Sequence, residues 1–344
     1  MLSFSRRAAA TGVRSAARGS ISPAAVMARL IVLGNACASV RLPAREVPPA
    51  GAVRSAAALD FGVGGSAVNT AVHAARLGIQ TSVIGDLGDD LFGRVIRQRL
   101  QDENADVSRL RLLAGRSSPA AVIFDHGRGR EGMLRHAGTA ADFHIPEIAL
   151  RIPCGMFHLA EPELLEGVWP GRLTDFVRRL RAAGRKVSFD AYAVAAGRPE
   201  ALEVAREHRH VLGHLEVFFG SEEEAKLISD RAEIQSVANY FHELGTKVVA
   251  IKRGAQGAIV SWKGGLQEVP AVRVKVVDAA GAGDAFVAGF LAAYLRGLDP
   301  PKCARVGCTL GTLTVRYPGE LTATADNARL QKVLPGFLPA RAPA

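Results

Sequence analysis

The stretch Val276-Val277-Asp278-Ala279-Ala280-Gly281-Ala282-Gly283-Asp284-Ala285-Phe286 most narrows what this chain can fold into. The alternating residues Val272, Val274 and Val276 predict a strand before it, and the apolar spacing over 285–295 predicts a buried helix after it. Gly281 and Gly283 open backbone geometries closed to other residues and leave no side chain to obstruct a ligand. Free N–H groups at a helix N-terminus form an anion site suited to phosphate oxygens. A carboxylate beside such a site is better placed to take a proton from an attacking hydroxyl than to meet the phosphate itself. Taken alone, G-x-G-D is a short motif, and Asp284 equally fits a simple helix cap.

Asp278 shares the turn, and the whole run Asp278-Ala-Ala-Gly-Ala-Gly-Asp284 resembles the D-x-x-G-A-G-D signature of the ribokinase-like (PfkB) carbohydrate kinases. Earlier in the chain, Gly64-Gly65-Ser66-Ala67-Val68-Asn69 leads into a helical pattern that ends at Gly78. Read by itself it is a tight turn and a solvated asparagine. It also resembles that family's first signature, G-G-x-x-x-N-x-A, and the two occur in the family's order. The resemblance covers roughly residues 29–335.

The resemblance implies a three-layer αβα, doubly wound and mostly parallel sheet with a small β lid, and an ATP-dependent kinase acting on a sugar hydroxymethyl group. Asp284 would be the catalytic base, with Gly281, Ala282 and Gly283 forming the anion hole. Asn35, Gly64, Gly65, Asn69 and Glu161 would line the sugar site, asparagine being able both to donate to and accept from a diol. Ser221, Lys252, Gly254, Gly257 and Cys308 would face the nucleotide, with the helix over 300–315, ended by Gly319, closing on the adenine. Glu224 would organise Mg2+ through water, as a hard cation with few protein ligands requires. A K+ site near Gly319 has Asp278 as its candidate ligand.

The wider composition agrees with this. At 344 residues, 48% hydrophobic and 22% charged, the chain suits one large α/β domain, and no apolar run reaches bilayer length. The net charge of +10 suggests nucleic acid, but Arg6, Arg7, Arg14, Arg18 and Arg29 carry half of it before the first acidic residue. No basic stripe interleaved with aromatics follows, so nucleic acid is not an expected partner. Cys37, Cys154, Cys303 and Cys308 lack metal or redox spacing and read as free thiols in a reducing compartment. Residues 1–26, rich in Ala, Arg, Ser and Gly without an acid, fit a mitochondrial or plastid transit peptide or an upstream start ahead of Met27. The second alternative leaves the protein cytoplasmic. The expected division is an extension over 1–26, a kinase domain over 27–338 and a tail over 339–344.

In chain order, 30–33 reads as a buried strand ending at Gly34-Asn35. The segments 40–62 and 119–135 read as short strands and loops, which in the family form the lid. A lid of this kind excludes water from the reaction. Its exposed edges predict a homodimer. Another strand at 81–84 precedes a glycine-rich turn, Gly85 to Gly93. Strands at 156–160, 186–190, 216–219 and 248–252 alternate with helices near 170–183, 200–212, 222–228 and 233–244, the mark of a parallel sheet. Function in such sheets gathers at the carboxyl ends of the strands, where Glu161, Asp190, Ser221 and Lys252 stand. Ser221 and Glu224 alone read as a capping box, and Gly254–Gly257 as a hairpin turn.

Three positions depart from the family pattern. Ser39 stands near where sugar kinases carry an aspartate, Ser221 replaces asparagine, and Asp190 is followed by Ala-Tyr-Ala-Val instead of P-N-x-R. A nucleoside kinase and a catalytically idle sugar- or nucleotide-binding relative therefore stand as alternatives.

Overall fold

The computed structural model describes residues 29–43, 50–125, 131–168, 171–192 and 201–337. The expected extension over 1–26, the tail over 339–344 and parts of both lid segments lie outside these residues. Strand β1 (Arg29–Gly34) lies in the interior of a nine-stranded sheet, and its side chains alternate between two cores. Leu30 and Val32 enter one core while Ile31 and Leu33 enter the other, and all four are fully buried. A strand apolar on both sides is stable only with helices over both faces, which forces a three-layer arrangement.

The chain continues through β2 (Cys37–Pro43), β3 (Asp60–Gly64), α1 (Ser66–Arg76), β4 (Gln80–Gly88), α2 (Leu91–Asp102) and β5 (Asp106–Leu113). A hairpin of β6 (Ala120–Asp125) and β7 (Glu131–His136) follows. The repeating half contains β8 (Met156–Ala160), α3 (Gly171–Ala182), β9 (Val187–Asp190), α4 (Ala201–Leu212), β10 (Val217–Ser221), α5 (Glu222–Ser229), α6 (Ile234–Leu244) and β11 (Val248–Lys252). The hairpin strands β12 (Ala258–Trp262) and β13 (Gly265–Val269) lead to α7 (Ala282–Leu295), α8 (Pro300–Thr314) and α9 (Asn327–Val333).

The large sheet has the order β13-β12-β11-β10-β9-β8-β1-β4-β5, with the β10–β11, β9–β10, β8–β9, β1–β8, β1–β4 and β4–β5 pairs parallel. Strands β12 and β13 pair antiparallel at one edge. The order reverses at β1, whose neighbours β4 and β8 start opposite runs, so the crevice of a doubly wound sheet opens at the ends of β1 and β8. Gly34 is required there, because a Cβ on it would lie 2.1 Å from the Ala160 carbonyl oxygen. The second sheet, β3-β2-β6-β7, is the expected lid.

Helix α7 is apolar all round, and residues 285–293 are buried without a break, so it belongs inside a layer rather than on a surface. It packs on α8 where Gly289 meets Gly307; a Cβ on Gly307 would sit 2.7 Å from the Phe286 carbonyl oxygen.

Two local expectations are corrected. The run Val272, Val274, Val276 is not a strand: residues 270–278 are irregular, and Val272 and Val276 are exposed. Pro270 ends β13 by removing a backbone donor, and β13 is already the sheet edge, so the valines have no strand to pair with. The segment is instead tied to the end of α8, with the Val277 and Asp278 N–H groups donating to the Val315 oxygen at 2.7 and 3.3 Å. Nor does Gly319 end α8. That helix stops at Thr314, and Gly319, at φ 80°, turns the loop beyond it.

Candidate active site

Gly281 precedes α7 in the left-handed region, at φ 71°, and bends the chain so that the first turn of the helix opens onto the crevice. The first intrahelical bond runs from the Ala285 N–H to the Gly281 oxygen at 2.9 Å. The N–H groups of Gly283 and Asp284 therefore have no acceptor within the helix. The Ala282 N–H turns back to the Ala279 oxygen at 3.3 Å, so of the three residues expected to form an anion hole it has its donor already turned to the preceding loop.

Asp284 is not the helix cap. Gly281 holds that position, and the Asp284 carboxylate is turned toward α1. Its Oδ1 accepts the Ser66 hydroxyl in a short hydrogen bond, and its Oδ2 accepts Asn69 Nδ2 at 2.8 Å. The same amide nitrogen donates to Glu320 Oε2 at 2.5 Å. Both Asn69 donor hydrogens are thus directed at carboxylates. Its Oδ1 is left buried without a partner.

Gly64 and Gly65 bring α1 to this place. Gly65, at φ 87°, passes so close to β1 that a Cβ would lie 2.6 Å from the Asn35 oxygen, and that oxygen accepts the Ala67 N–H at 3.1 Å. Asn35 is 5% exposed, and its Oδ1 is also buried without a partner.

Glu161 follows β8 at φ 48°, a conformation costly for a residue with a side chain. Burial pushes its carboxyl well above the usual carboxylate range, and the charges of Asp284 and Asp190 add to this. Next to it, Lys252 Nζ donates to the two oxygens of Asp190 at 2.7 and 2.9 Å. A methyl group on Gly283 would lie 3.4 Å from that ammonium, so Lys252 stands directly over the start of α7. Burial lowers the affinity of Lys252 for its proton, but Asp190, Glu224 and Asp284 outweigh this and hold it charged. Asp190 is pushed up to about 7 because burial outweighs the pull of Lys252.

Ser221 and Glu224 form the reciprocal capping box. The Ser221 N–H donates to Glu224 Oε2 at 2.6 Å, and the Glu224 N–H donates to Ser221 Oγ at 3.2 Å. Gly254 and Gly257, at φ 54° and 94°, form the turn between β11 and β12. Cys308 is buried in α8 with its Sγ 3.7 Å from the Val269 oxygen, and a Cβ on Gly257 would lie 2.1 Å from that same oxygen. The assigned nucleotide residues therefore converge from β10, β11 and α8. Asp278 is fully engaged, its oxygens accepting the Ala280 and Gly319 N–H groups at 2.9 Å each.

Three contributors lay outside the sequence assignment. Ser66 was hidden inside the first signature as an unspecified position. Asp190 was visible only as a polar residue ending a strand. Glu320 carried no signal, because its role depends on a loop folding back across Gly64 and Gly281. A cleft of about 380 Å3 lined by His144, Arg172, Phe176 and Arg179, among others, shares no residue with this group.

A family model described as "pfkB family carbohydrate kinase" matches residues 27–327. An ATP-dependent ribose-1-phosphate kinase from Halopiger xanaduensis is 30% identical over 303 residues, 87% of this chain and 96% of its own. A fructokinase from Klebsiella pneumoniae is 30% identical over 282 residues, 79% of this chain and 91% of its own. The ribokinase of Arabidopsis thaliana complexed with ribose and ATP superposes with a TM-score of 0.75 at 22% identity, covering 89% of this chain and 98% of its own. Since the family model spans most of the chain and both signatures meet in one crevice, this protein belongs to the pfkB family of carbohydrate kinases, phosphotransferases whose acceptor is a sugar or nucleoside hydroxyl.

Proposed function

We propose that the protein is an ATP-dependent kinase that transfers the γ-phosphoryl group to a sugar hydroxymethyl group. One observation carries this reading: a carboxylate, Asp284, and an ammonium, Lys252, flank the open first turn of α7. The carboxylate is the base that takes the proton of the acceptor hydroxyl, and Ser66 and Asn69 fix its orientation. The N–H groups of Gly283 and Asp284, with Lys252, face the transferring phosphoryl group, and Asp190 aims Lys252. Asn35, Gly64, Gly65, Asn69 and Glu161 form the acceptor side. Ser221, Lys252, Gly254, Gly257 and Cys308 form the nucleotide side. The test is ADP release with free sugars, sugar phosphates, sugar acids and nucleosides. Failure to turn over any hydroxymethyl sugar would overturn the reading.

Glu224 fits a Mg2+ held through water. One oxygen is spent on the cap, and its charge acts on both Asp190 and Lys252, which supports a role beside the transferring phosphoryl group. Bound Mg2+ would neutralise phosphate charge. Glu224→Gln keeps an oxygen for the Ser221 N–H, so folding is expected to persist while the Mg2+ needed for half-maximal rate rises severalfold. An unchanged Mg2+ dependence would reduce Glu224 to a cap. Asp278 has both oxygens on backbone donors and clamps the signature turn to the loop after α8, and each oxygen keeps a lone pair that a K+ ion there would use.

The lid supports a homodimer. Phe61 on β3 and Met133 and Leu134 on β7 are 47, 54 and 64% exposed, on the strands that end the small sheet. Unpaired strand edges carrying apolar side chains favour a partner. Sedimentation velocity is expected to show a dimer at micromolar concentration that Phe61→Glu dissociates, and a monomer throughout would refute it. A cytoplasmic location rests only on the sequence. Among the described residues no helix is long and apolar enough to cross a membrane.

A further inference from the structure

Glu320 has no counterpart in the signatures, yet the site is built around it. The Glu320 side chain occupies a slot made by two glycines from opposite ends of the chain. A Cβ on Gly64 would lie 2.6 Å from its Oε2, and a Cβ on Gly281 would lie 2.8 Å from its own Cβ. Asn69 Nδ2 holds it, and the same nitrogen holds Asp284. The carboxylate that receives the acceptor proton and the carboxylate of Glu320 are therefore neighbours across one atom.

The surrounding charges decide what such a place can accept. Asp284 and Asp278 act on Glu320 with the same sign, while Arg41 and the Asn69 bond act with the opposite sign. Glu320 and Glu161 both act on Cys37, so this thiol at the start of β2 lies near both. The nearby cations are engaged. Lys252 is paired with Asp190, the charge of Arg41 acts on Glu320, and Arg135 donates to the Leu164 oxygen at 2.6 Å. Burial, the largest influence on Glu320, raises its carboxyl to about 7, so the carboxylate is ionised in mildly alkaline solution. The acceptor side is lined by hydrogen-bond acceptors and negative charge. It is matched by a ligand rich in hydroxyl donors and opposed by one that brings its own anion.

Resting on the kinase reading above, we propose that Glu320 is a specificity-determining residue that makes the acceptor pocket select an uncharged polyhydroxylated acceptor and turn away one bearing a phosphate or carboxylate. Like charges brought together in a desolvated pocket carry a large penalty.

The test uses matched pairs at pH 8: ribose against ribose 1-phosphate, and fructose against fructose 1-phosphate. Calorimetry with Mg2+ and a non-hydrolysable ATP analogue reads binding, and ADP release reads turnover. Wild-type protein is expected to bind the free sugar at least about tenfold more tightly than its phosphate. Glu320→Gln keeps the shape and the Asn69 bond, and should cut that ratio by at least about tenfold, mainly through tighter binding of the phosphate. Glu320→Ala should shift the ratio the same way, with melting curves showing that both variants fold. Equal or tighter wild-type binding of the phosphorylated acceptors, or a ratio unmoved by both variants, would overturn the proposal. Absence of turnover with these sugars would overturn the kinase reading instead, because the binding ratio is measured without chemistry.

Discussion

Asp284→Asn is expected to lower kcat by about 10²–10⁴-fold, the usual contribution of a positioned general base, with little change in ATP affinity. The carboxylate faces Ser66 and Asn69, on the proposed acceptor side, while the residues proposed for the nucleotide arrive from β10, β11 and α8. Stability should barely move. An asparagine oxygen still receives the Ser66 hydroxyl. The lost bond from Asn69 is offset by removing a negative charge beside Glu161 and Glu320, whose carboxyl groups Asp284 now pushes up. The net change should stay within about 1 kcal/mol, a few degrees in Tm. The measurement pairs kcat with Tm in one variant. Near-normal turnover on the best acceptor would remove Asp284 from the chemistry.

Lys252→Met has the opposite signature, because it is expected to damage folding and catalysis together. The Lys252 side chain is 19% exposed and that of its partner Asp190 only 2%, so the substitution strands Asp190 in the interior. Breaking a buried pair from one side costs about 3–5 kcal/mol. Loss of a fixed charge over the transferring group should also lower kcat by about 10²–10³-fold. The stability loss has a pH signature of fixed sign. The folded-state pKa of Asp190, about 7, already lies above the ordinary aspartate range, so its neutral form is the one the fold favours. Removing Lys252 raises that folded value further. Stability linked to Asp190 is then fully present below the unfolded pKa and lost as pH rises through the folded one. The deficit against wild type, measured by urea unfolding, should be larger at pH 8 than at pH 5. Adding Asp190→Asn should recover much of the stability at pH 8 without recovering turnover. A deficit independent of pH would mean that Asp190 is not the group left uncompensated.

These two positions also separate what the chain reveals by itself from what it does not. The buried strand over 30–33, the βα repeats from 156 onward and the apolar helix after Gly283 were legible because each is a local pattern. Burial on both faces leaves a continuous apolar run, and burial all round leaves a helix without a polar side. The two signatures were legible for a related reason: a turn that must pass a ligand or a neighbouring strand closely needs glycine at fixed spacing, as Gly65 and Gly281 show by their positive φ. The run Val272, Val274, Val276 misled because alternation records only which side chains share a face. Whether a partner strand is available depends on the sheet, and here the sheet ends at β13.

The chemistry of Asp284 was legible as a position, but its surroundings were not. That Asn69 spends both donors on carboxylates, that Asp190 holds Lys252 over Gly283, and that Glu320 closes the slot between Gly64 and Gly281 are meetings of residues 215, 62 and 251 positions apart in their bonded pairs. Hydrogen bonds and buried charges act over a few ångströms of space whatever the separation along the chain. The sequence by itself determined the layers, the strand ends and the loops that carry the reactive groups. Only the tertiary structure decided which carboxylates became neighbours, and hence which are pushed up by burial and like charge and which are paired.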